Sequence, residues 1–389
     1  MKLNHIYKSI ACGVLLAMTA TSCDLDYNPV DTYSDVTEGV NKTDEKPIFN
    51  SVQDVETSMV TLHKKFRDRQ EHWYVDKLLI GDAHSDNAYA GTTGAEVVPY
   101  ETNSIEGSNS VLKRDWDRFL GDIAVANRII VGCDQLKALS ESERGKYQSQ
   151  AKIFRAMVMF DMVRLWGNFP VITTVGGDIT EDNVEEMYPT YFPPQNTAEE
   201  AYAQIEKDLT EAVENPNTPT NDTSDKSILT KSVARAMLAK VYAEKPLRDY
   251  AKVIKYADEL AADGFDLVED FSDLWAYDTE KKDCRVRNTK EAILEAHFPP
   301  GSGNWCNWMS GRNLSNWDES FTWAKWITPP RDLIRLYEEQ GDTKRYNESV
   351  VWYDCGWSNY YPADHYAFMY KCRSAFNSII YLRYADILL

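Results

Sequence analysis

The sequence lacks an excess of positive charge. Its 389 residues include 42 Lys and Arg against 61 Asp and Glu, which gives a net charge of −19 at pH 7. A surface this acidic repels phosphate backbones, so the composition argues against nucleic acid as a partner. Neutral polar ligands stay open, because binding them requires no basic patch.

The sequence also lacks the common catalytic motifs. It contains no HExxH, GxSxG, P-loop or GxGxxG, and its six histidines are scattered. Among 61 carboxylates a suitably spaced acid pair would occur in any case, so such a pair says nothing about hydrolysis. We therefore expect no catalytic residue, no cofactor and no metal site. A surface glycoside hydrolase stays open as an alternative, and it would require two carboxylates whose loss abolishes turnover.

Cysteine is sparse and irregularly spaced. With no CxxC and no close Cys/His spacing, neither a zinc site nor a disulfide framework is expected. Isolated buried thiols fit better, although a pair between Cys355 and Cys372 stays open in an oxidising compartment. The seven cysteines are at positions 12, 23, 133, 284, 306, 355 and 372.

A short apolar run at the N-terminus predicts a secretion signal. Lys2 and Lys8 come first, and the run over 10–20 is too short for a membrane helix. Thr21-Ser22-Cys23 then resembles a bacterial lipobox, which predicts a signal peptide over 1–22 and lipidation of Cys23. We expect 23–50 to be an extended tether that begins at the lipidated cysteine and anchors the protein to a membrane. The alternative is an ordinary signal with a chance cysteine.

Helical periodicity fills much of the remaining chain. Apolar residues recur at helical spacing over 52–66 and 116–130. Two further predicted helices, 229–244 and 250–264, are joined by the short segment 245–249. Short helices in consecutive pairs are typical of helical repeats such as the tetratricopeptide repeat. We predict a mainly α fold, a tetratricopeptide-like scaffold with a loop-rich ligand-binding face.

Local capping signals mark two helix starts. Ser140 with Glu143 three residues later forms a capping box, and Gly167 supplies the C-terminal stop of the same helix. Thr197 with Glu200 forms a second capping box. Both helices are therefore predicted with defined starts.

Long segments without helical periodicity interrupt the helices. We predict a single domain over 51–389 with inserted loops at 82–111, 168–196, 265–328 and 341–378. Loops of this length usually carry function or small elements of their own.

Several segments resemble the SusD/RagB family of Bacteroidetes outer-membrane nutrient-binding lipoproteins. The central match is "QAKIFRAMVMFDMVRLWGNFPVI" at 150–172. Other matches occur in the family's order and extend over most of the chain that follows the tether. They are W-x6-I-x3-N at Trp116, Ile123 and Asn127, then 199–212, 229–242, 291–298, 329–345 and 382–389.

The resemblance implies a function and a partner. Family members capture oligosaccharides most often, and peptides in some cases, and pass them to a TonB-dependent, SusC-like outer-membrane transporter over which they close as a lid. It therefore implies a non-catalytic, lipid-anchored glycan-binding protein at the surface of the outer membrane. A peptide-binding member stays open, and so does a pure interaction scaffold that docks a protein.

The chain departs from the family pattern at its C-terminal end. In the family the segment "RYADILL" opens a helix and a long further stretch follows, whereas this sequence stops at Leu389. We therefore expect an incomplete last repeat. The apolar face of Tyr384, Ile387 and Leu388 is expected to lack a partner.

Residues 301–326 place five tryptophans among Gly, Ser, Asn and Asp. Flat aromatic faces beside amide and carboxylate groups suit a sugar ring, which has an apolar C–H face and a polar rim. Trp305 and Trp308 lie in the more open, Gly/Asn-rich context, and we predict that they and Trp317 contact a ligand. The competing interpretation is that these rings pack the loop onto the scaffold.

Two further segments carry predicted ligand contacts. The loop 81–94 combines acidic, amide and aromatic side chains, whose polar members could instead satisfy the loop's own backbone. The stretch 350–371 alternates, which predicts a strand or hairpin with half of its aromatic residues facing a core. The predicted contacts in these segments are Asp82, Asp86, Asn87, Tyr89, Trp357 and Tyr360.

Overall fold

Helices form most of the part of the chain that the structure describes, so the mainly α fold predicted from the sequence is confirmed. The computed structural model describes residues 47–68, 71–91, 95–177, 183–278, 280–281, 283–298, 327–354, 359–371, 373 and 377–389. The helices are α1 (Val52–Asp68), α2 (Val98–Glu101), α3 (Ser110–Gln135), α4 (Glu141–Trp166), α5 (Val184–Tyr191), α6 (Ala198–Glu214), α7 (Lys231–Ala243), α8 (Tyr250–Ala262), α9 (Arg331–Gln340), α10 (Thr343–Ser349) and α11 (Tyr384–Leu388).

Short antiparallel strand pairs lie between the helices. They join β1 (Tyr89–Ala90) with β5 (Ile327–Thr328), β2 (Tyr277–Asp278) with β3 (Asp283–Cys284), β4 (Ala292–Ala296) with β8 (Ile379–Arg383), and β6 (Val350–Tyr353) with β7 (Tyr366–Met369). The β6–β7 pair confirms the hairpin predicted within 350–371. Further turns are π-helical at Glu71–Val75 and Leu78–Ala83, and 3-10 at Phe271–Leu274.

The long helices stack in the order of the chain. α1 packs on α3, α3 on α4, α4 on α6, α6 on α7 and α7 on α8. Each helix buries its apolar face against the next, and together they enclose one large hydrophobic core. This is the consecutive stacking that the helical periodicity predicts.

Both predicted capping boxes are present. The Ser140 hydroxyl accepts a hydrogen bond from the backbone N–H of Glu143 at 3.2 Å, and the Glu143 carboxylate accepts one from the Ser140 N–H at 2.9 Å. Thr197 and Glu200 repeat this arrangement at 3.2 and 2.8 Å. Each capping box thereby satisfies two backbone N–H groups at the start of its helix. At the other end of α4, Gly167 stops the helix with a φ of +72°, a conformation that favours glycine.

Helix α4 lies at the centre of the stack because α3 and α6 pack against it from either side. Its second half therefore buries residues all around its circumference, including Arg155, which is 4% exposed. The guanidinium donates two hydrogen bonds to the carboxylate of Asp208 on α6, at 2.8 and 2.7 Å, and a third to the amide oxygen of Asn127 on α3 at 2.7 Å. One buried side chain thus joins three helices.

The four segments predicted as long loops contain regular elements. α2 lies in 82–111, α5 in 168–196, β2 to β5 in 265–328, and α10 with β6 and β7 in 341–378. Their backbone hydrogen bonds satisfy groups that an irregular segment would have to expose to water. The four inserts therefore contain short helices and strand pairs, which are the small elements that loops of this length usually carry.

The expectation of an unpartnered apolar face at the C-terminal end is wrong for two of its three residues. Tyr384 and Ile387 on α11 are 6% and 5% exposed, because α11 packs against α7 and α8. The Tyr384 hydroxyl donates to the carbonyl of Ala257 at 3.2 Å. Leu388 is 51% exposed.

The two cysteines within the described residues, Cys133 and Cys284, are free thiols. Cys133 is buried, and burial raises its pKa to about 12. Cys306, Cys355 and Cys372 lie outside the described residues. Among the helices that the structure describes, none has the length and apolar character needed to cross a bilayer.

Candidate functional site

The segment 81–94, which carries four of the predicted contacts, meets the segment that follows the tryptophan-rich stretch. Tyr89 pairs with Thr328 and Ala90 with Ile327 in the short β1–β5 ladder. Ile327 comes directly after residue 326, the last of the stretch that holds Trp305, Trp308 and Trp317. These tryptophans lie outside the described residues, as do Trp357 and the predicted lipidation site Cys23.

Two predicted residues, Tyr89 and Tyr360, lie face to face. Their ring centroids are 4.5 Å apart and their planes differ by 10°. Both residues are half-buried, so the pair lies at the boundary between protein and solvent. The structure therefore brings together one aromatic residue from the first predicted segment and one from the third.

A carboxylate and an arginine hold this tyrosine pair in place. One Glu101 oxygen accepts hydrogen bonds from the Tyr360 hydroxyl at 2.5 Å and from the Ala90 N–H at 2.7 Å. The Arg331 guanidinium donates to the Tyr360 carbonyl, and the Arg331 backbone N–H donates to the Tyr89 hydroxyl at 3.3 Å. Burial, followed by the hydrogen bond to Glu101, raises the pKa of Tyr360 above its ordinary value. Its hydroxyl therefore stays a hydrogen-bond donor to Glu101 into the alkaline range.

More aromatic side chains lie in the hairpin that contains Tyr360, and one of them, Tyr361, is buried with 6% of its surface exposed. The Trp352 ring stacks on His365 at 4.1 Å with an angle of 3°, and meets Tyr361 edge-on at 5.3 Å. The Trp352 indole N–H donates to the Tyr346 hydroxyl at 2.8 Å. We call the set Tyr89, Trp352, Tyr360, Tyr361 and His365 the aromatic shelf.

The polar residues predicted in the first loop differ in their surroundings. Asp82 lies in the last turn of the π-helical segment, not in the loop, and is half-buried. Burial raises its pKa, while the charge of Lys371 acts in the opposite direction. Asp86 and Asn87 are exposed at the turn that leads to Tyr89. Much of this turn's own hydrogen bonding comes from the Asp82 carbonyl, which accepts from the N–H groups of Ser85 and Ala88.

A buried carboxyl pair lies in the segment that leads from the helical scaffold to Tyr89. Asp76 and Asp115 of α3 are 0% and 1% exposed and interact electrostatically, and Arg114 forms an ion pair with Asp76. Burial raises the pKa of Asp115, and the Asp76 charge raises it further. A proton held on Asp115 explains how a second carboxyl group is accommodated in this buried site beside Asp76.

Sequence reasoning did not single out Glu101, Arg331 or Trp352. Each lies in a segment flagged as an insert or as a family match, but its role depends on contacts between residues far apart in the chain. A carboxylate or arginine with no recognisable motif around it gives no indication in the sequence of such a long-range contact. No group of three or more metal-ligating side chains occurs in the part of the chain that the structure describes.

The fold and the shelf define a helical-repeat scaffold that presents an aromatic surface on its inserts. Residues 33–243, more than half of the chain, match the profile of SusD-like_3, described as "Starch-binding associating with outer membrane". The chain therefore belongs to this SusD-like family. A curated "SusD-like protein" of Bacteroides ovatus is 25% identical over 313 residues, which are 77% of this chain and 50% of that protein. The chain thus spans about half the length of this relative.

Solved structures share the fold at lower identity. A "Laminarin binding SusD-like protein" is 20% identical with a TM-score of 0.66, covering 87% of this chain and 79% of that one. "Surface glycan-binding protein A from Bacteroides fluxus" is 19% identical with a TM-score of 0.68, covering 87% and 75%. These likenesses confirm the predicted tetratricopeptide-like helical scaffold.

Proposed function

We propose that this protein binds a neutral oligosaccharide or polysaccharide without catalysis, at the face that carries the aromatic shelf. The observation that carries the proposal is the stacked pair Tyr89–Tyr360, half-buried and fixed by Glu101 and Arg331. An aromatic ring held rigidly at the solvent boundary offers its apolar face to the C–H face of a sugar at little entropic cost. Asp86 and Asn87, exposed beside Tyr89, would supply hydrogen bonds to sugar hydroxyls.

The relatives support this ligand class. The matching family is described as starch-binding, one solved relative is named for laminarin, and another is named a surface glycan-binding protein. We extend the binding face to Trp305, Trp308 and Trp317, because the residues that follow their segment pair with Tyr89 and Ala90. Trp357 belongs to the same proposal as a neighbour of Tyr360 in sequence.

The cellular setting is part of the proposal. The protein would be attached to the outer membrane through a lipid on Cys23, followed by the tether 23–50. It would present captured glycan to a TonB-dependent, SusC-like transporter. The family description, with its association to the outer membrane, supports this placement. A peptide ligand is the alternative within the family.

A hydrolytic alternative finds little support at the shelf. Glu101 is the carboxylate in contact with Tyr360, and one of its oxygens accepts two hydrogen bonds from the protein itself. A general acid or nucleophile would need to face the glycosidic bond with a second carboxylate opposite. Glu101 is better described as a positioning residue for the tyrosine pair.

Native affinity electrophoresis of the full chain tests the proposal. Gels containing laminarin or soluble starch would retard the wild type, and Tyr89→Ala combined with Tyr360→Ala should weaken retardation about tenfold or more, since two stacking faces are lost. Tyr250→Ala is the matched control, because Tyr250 is a 58% exposed tyrosine on α8. Failure of both polymers to retard a folded wild type would contradict the proposal, and release of reducing ends would favour the hydrolase.

A further inference from the structure

A second aromatic surface lies outside the aromatic shelf, on α5 and the residue that follows it. Tyr188, Tyr191 and Phe192 are 55%, 47% and 66% exposed. The rings of Tyr188 and Phe192 lie side by side, with centroids 4.7 Å apart and planes tilted by 30°. Aromatic residues this large are rarely left in solvent as a contiguous group without a binding role.

The segment that carries these rings is firmly attached. The Tyr191 hydroxyl donates to the Gly177 carbonyl at 2.6 Å. The Tyr191 ring also lies so close to Gly176 that a Cβ at that position would be 3.0 Å from the ring. Helix α5 is therefore attached to the chain at Gly176 and Gly177.

The helical core in turn holds the chain a few residues before these glycines. The side-chain amide of Asn127 donates to the carbonyls of Ile172 and Thr174 at 2.9 and 3.2 Å. Asn127 itself is oriented by Arg155, which is fixed by Asp208. A buried network thus supports the insert, so the exposed rings are presented on a preorganised base.

The charge of the insert restricts what can bind there. Residues 168–196 contain no Lys, Arg or His, whereas Asp and Glu are frequent among them. Phosphate headgroups, sulfated glycans and uronic acids would be repelled, and an interfacial membrane surface normally carries basic residues beside its apolar ones. A neutral chain with apolar faces and hydroxyl edges matches both the rings and the charge.

We infer that Tyr188 and Phe192 form a second stacking platform for a neutral glycan chain, separate from the aromatic shelf. The inference rests on the proposed function, because it concerns the same ligand class. It adds a binding site on a different insert of the scaffold. Two platforms on one molecule would hold a polymer better than a short oligosaccharide.

The test compares four folded full-length proteins in gels of laminarin, of soluble starch and of the acidic polymer polygalacturonate. They are wild type, Tyr188→Ala with Phe192→Ala, Tyr89→Ala with Tyr360→Ala, and the control Tyr250→Ala. Loss of the α5 platform should raise the apparent dissociation constant for the retarding polymer at least threefold, with the control unchanged. Tyr188→Phe should retain wild-type retardation, because it keeps the ring.

The outcomes separate this inference from the proposed function. If the Tyr188/Phe192 variant runs as the wild type while the Tyr89/Tyr360 variant loses retardation, the second platform is wrong and the proposed function stands. If neither neutral polymer retards the wild type, both fail together. Retardation by polygalacturonate that depends on Tyr188 and Phe192 would overturn the assignment to neutral glycans.

Discussion

Arg155 connects the helical core to the insert that carries α5. Its guanidinium makes three hydrogen bonds, two to Asp208 and one to Asn127, and all three residues are at most 4% exposed. A planar fork of donors fits this arrangement, whereas an ammonium group can reach only part of it. A lysine at position 155 would keep the positive charge but would not preserve these three hydrogen bonds.

The first prediction follows from that geometry. Arg155→Lys should lower the free energy of unfolding by about 2–3 kcal/mol, because buried, charge-assisted hydrogen bonds are lost. Arg164→Lys on the same helix is the matched control, since its ion pair with Glu244 has side chains 49% and 28% exposed and should matter by less than about 1 kcal/mol. Urea unfolding measures both, and equal effects of the two substitutions would refute a special role for Arg155.

At the scale of elements, the carboxyl pair links the helical stretch 71–83 to α3. Asp115 is surrounded by Asp76, by Arg114 and Arg118, and by the buried hydroxyl of Tyr100. Burial and then the Asp76 charge raise its pKa in the folded protein. The folded state therefore keeps a proton that the unfolded chain releases near pH 4.

The second prediction is the resulting pH dependence. A raised folded pKa gives a contribution to stability that is complete below the unfolded pKa and is lost as pH rises. Asp115→Asn replaces the titrating carboxyl group with an amide that does not titrate. The free energy of unfolding of the variant should therefore rise relative to that of the wild type between pH 5 and pH 9, by about 1 kcal/mol or more. Thermal unfolding across this range tests it. A constant difference between the two proteins would show that Asp115 is ionised in the fold.

The sequence predicts correctly those helix ends that are set by residues close to them in the chain. Ser140 and Thr197 start their helices because each capping box lies within four residues, and Gly167 ends α4 for an equally local reason. The Tyr89–Tyr360 stack depends on two inserts meeting in space, so composition could nominate the two residues but not their contact. The burial of Tyr384 likewise depends on α7 and α8, which a single segment cannot reveal.

At the scale of the whole molecule, the net charge of −19 distinguishes the proposed glycan ligand from the alternative peptide ligand. A basic peptide would be attracted by this field over a distance set by the salt concentration. A neutral glycan would feel no such attraction, because its binding depends on stacking and on short-range hydrogen bonds. The same acidic surface therefore predicts different salt responses for the two ligands.

The third prediction uses that difference. Retardation by the neutral polymer that binds best should change less than twofold between about 50 and 500 mM NaCl, where the screening length falls from above 10 Å to a few ångströms. A peptide ligand that relies on the acidic surface should weaken tenfold or more over the same range. Gels run at the two salt concentrations, with Tyr89→Ala/Tyr360→Ala beside the wild type, decide between them. Strong weakening of the glycan interaction by salt would mean that charged groups, and not the aromatic shelf, dominate binding.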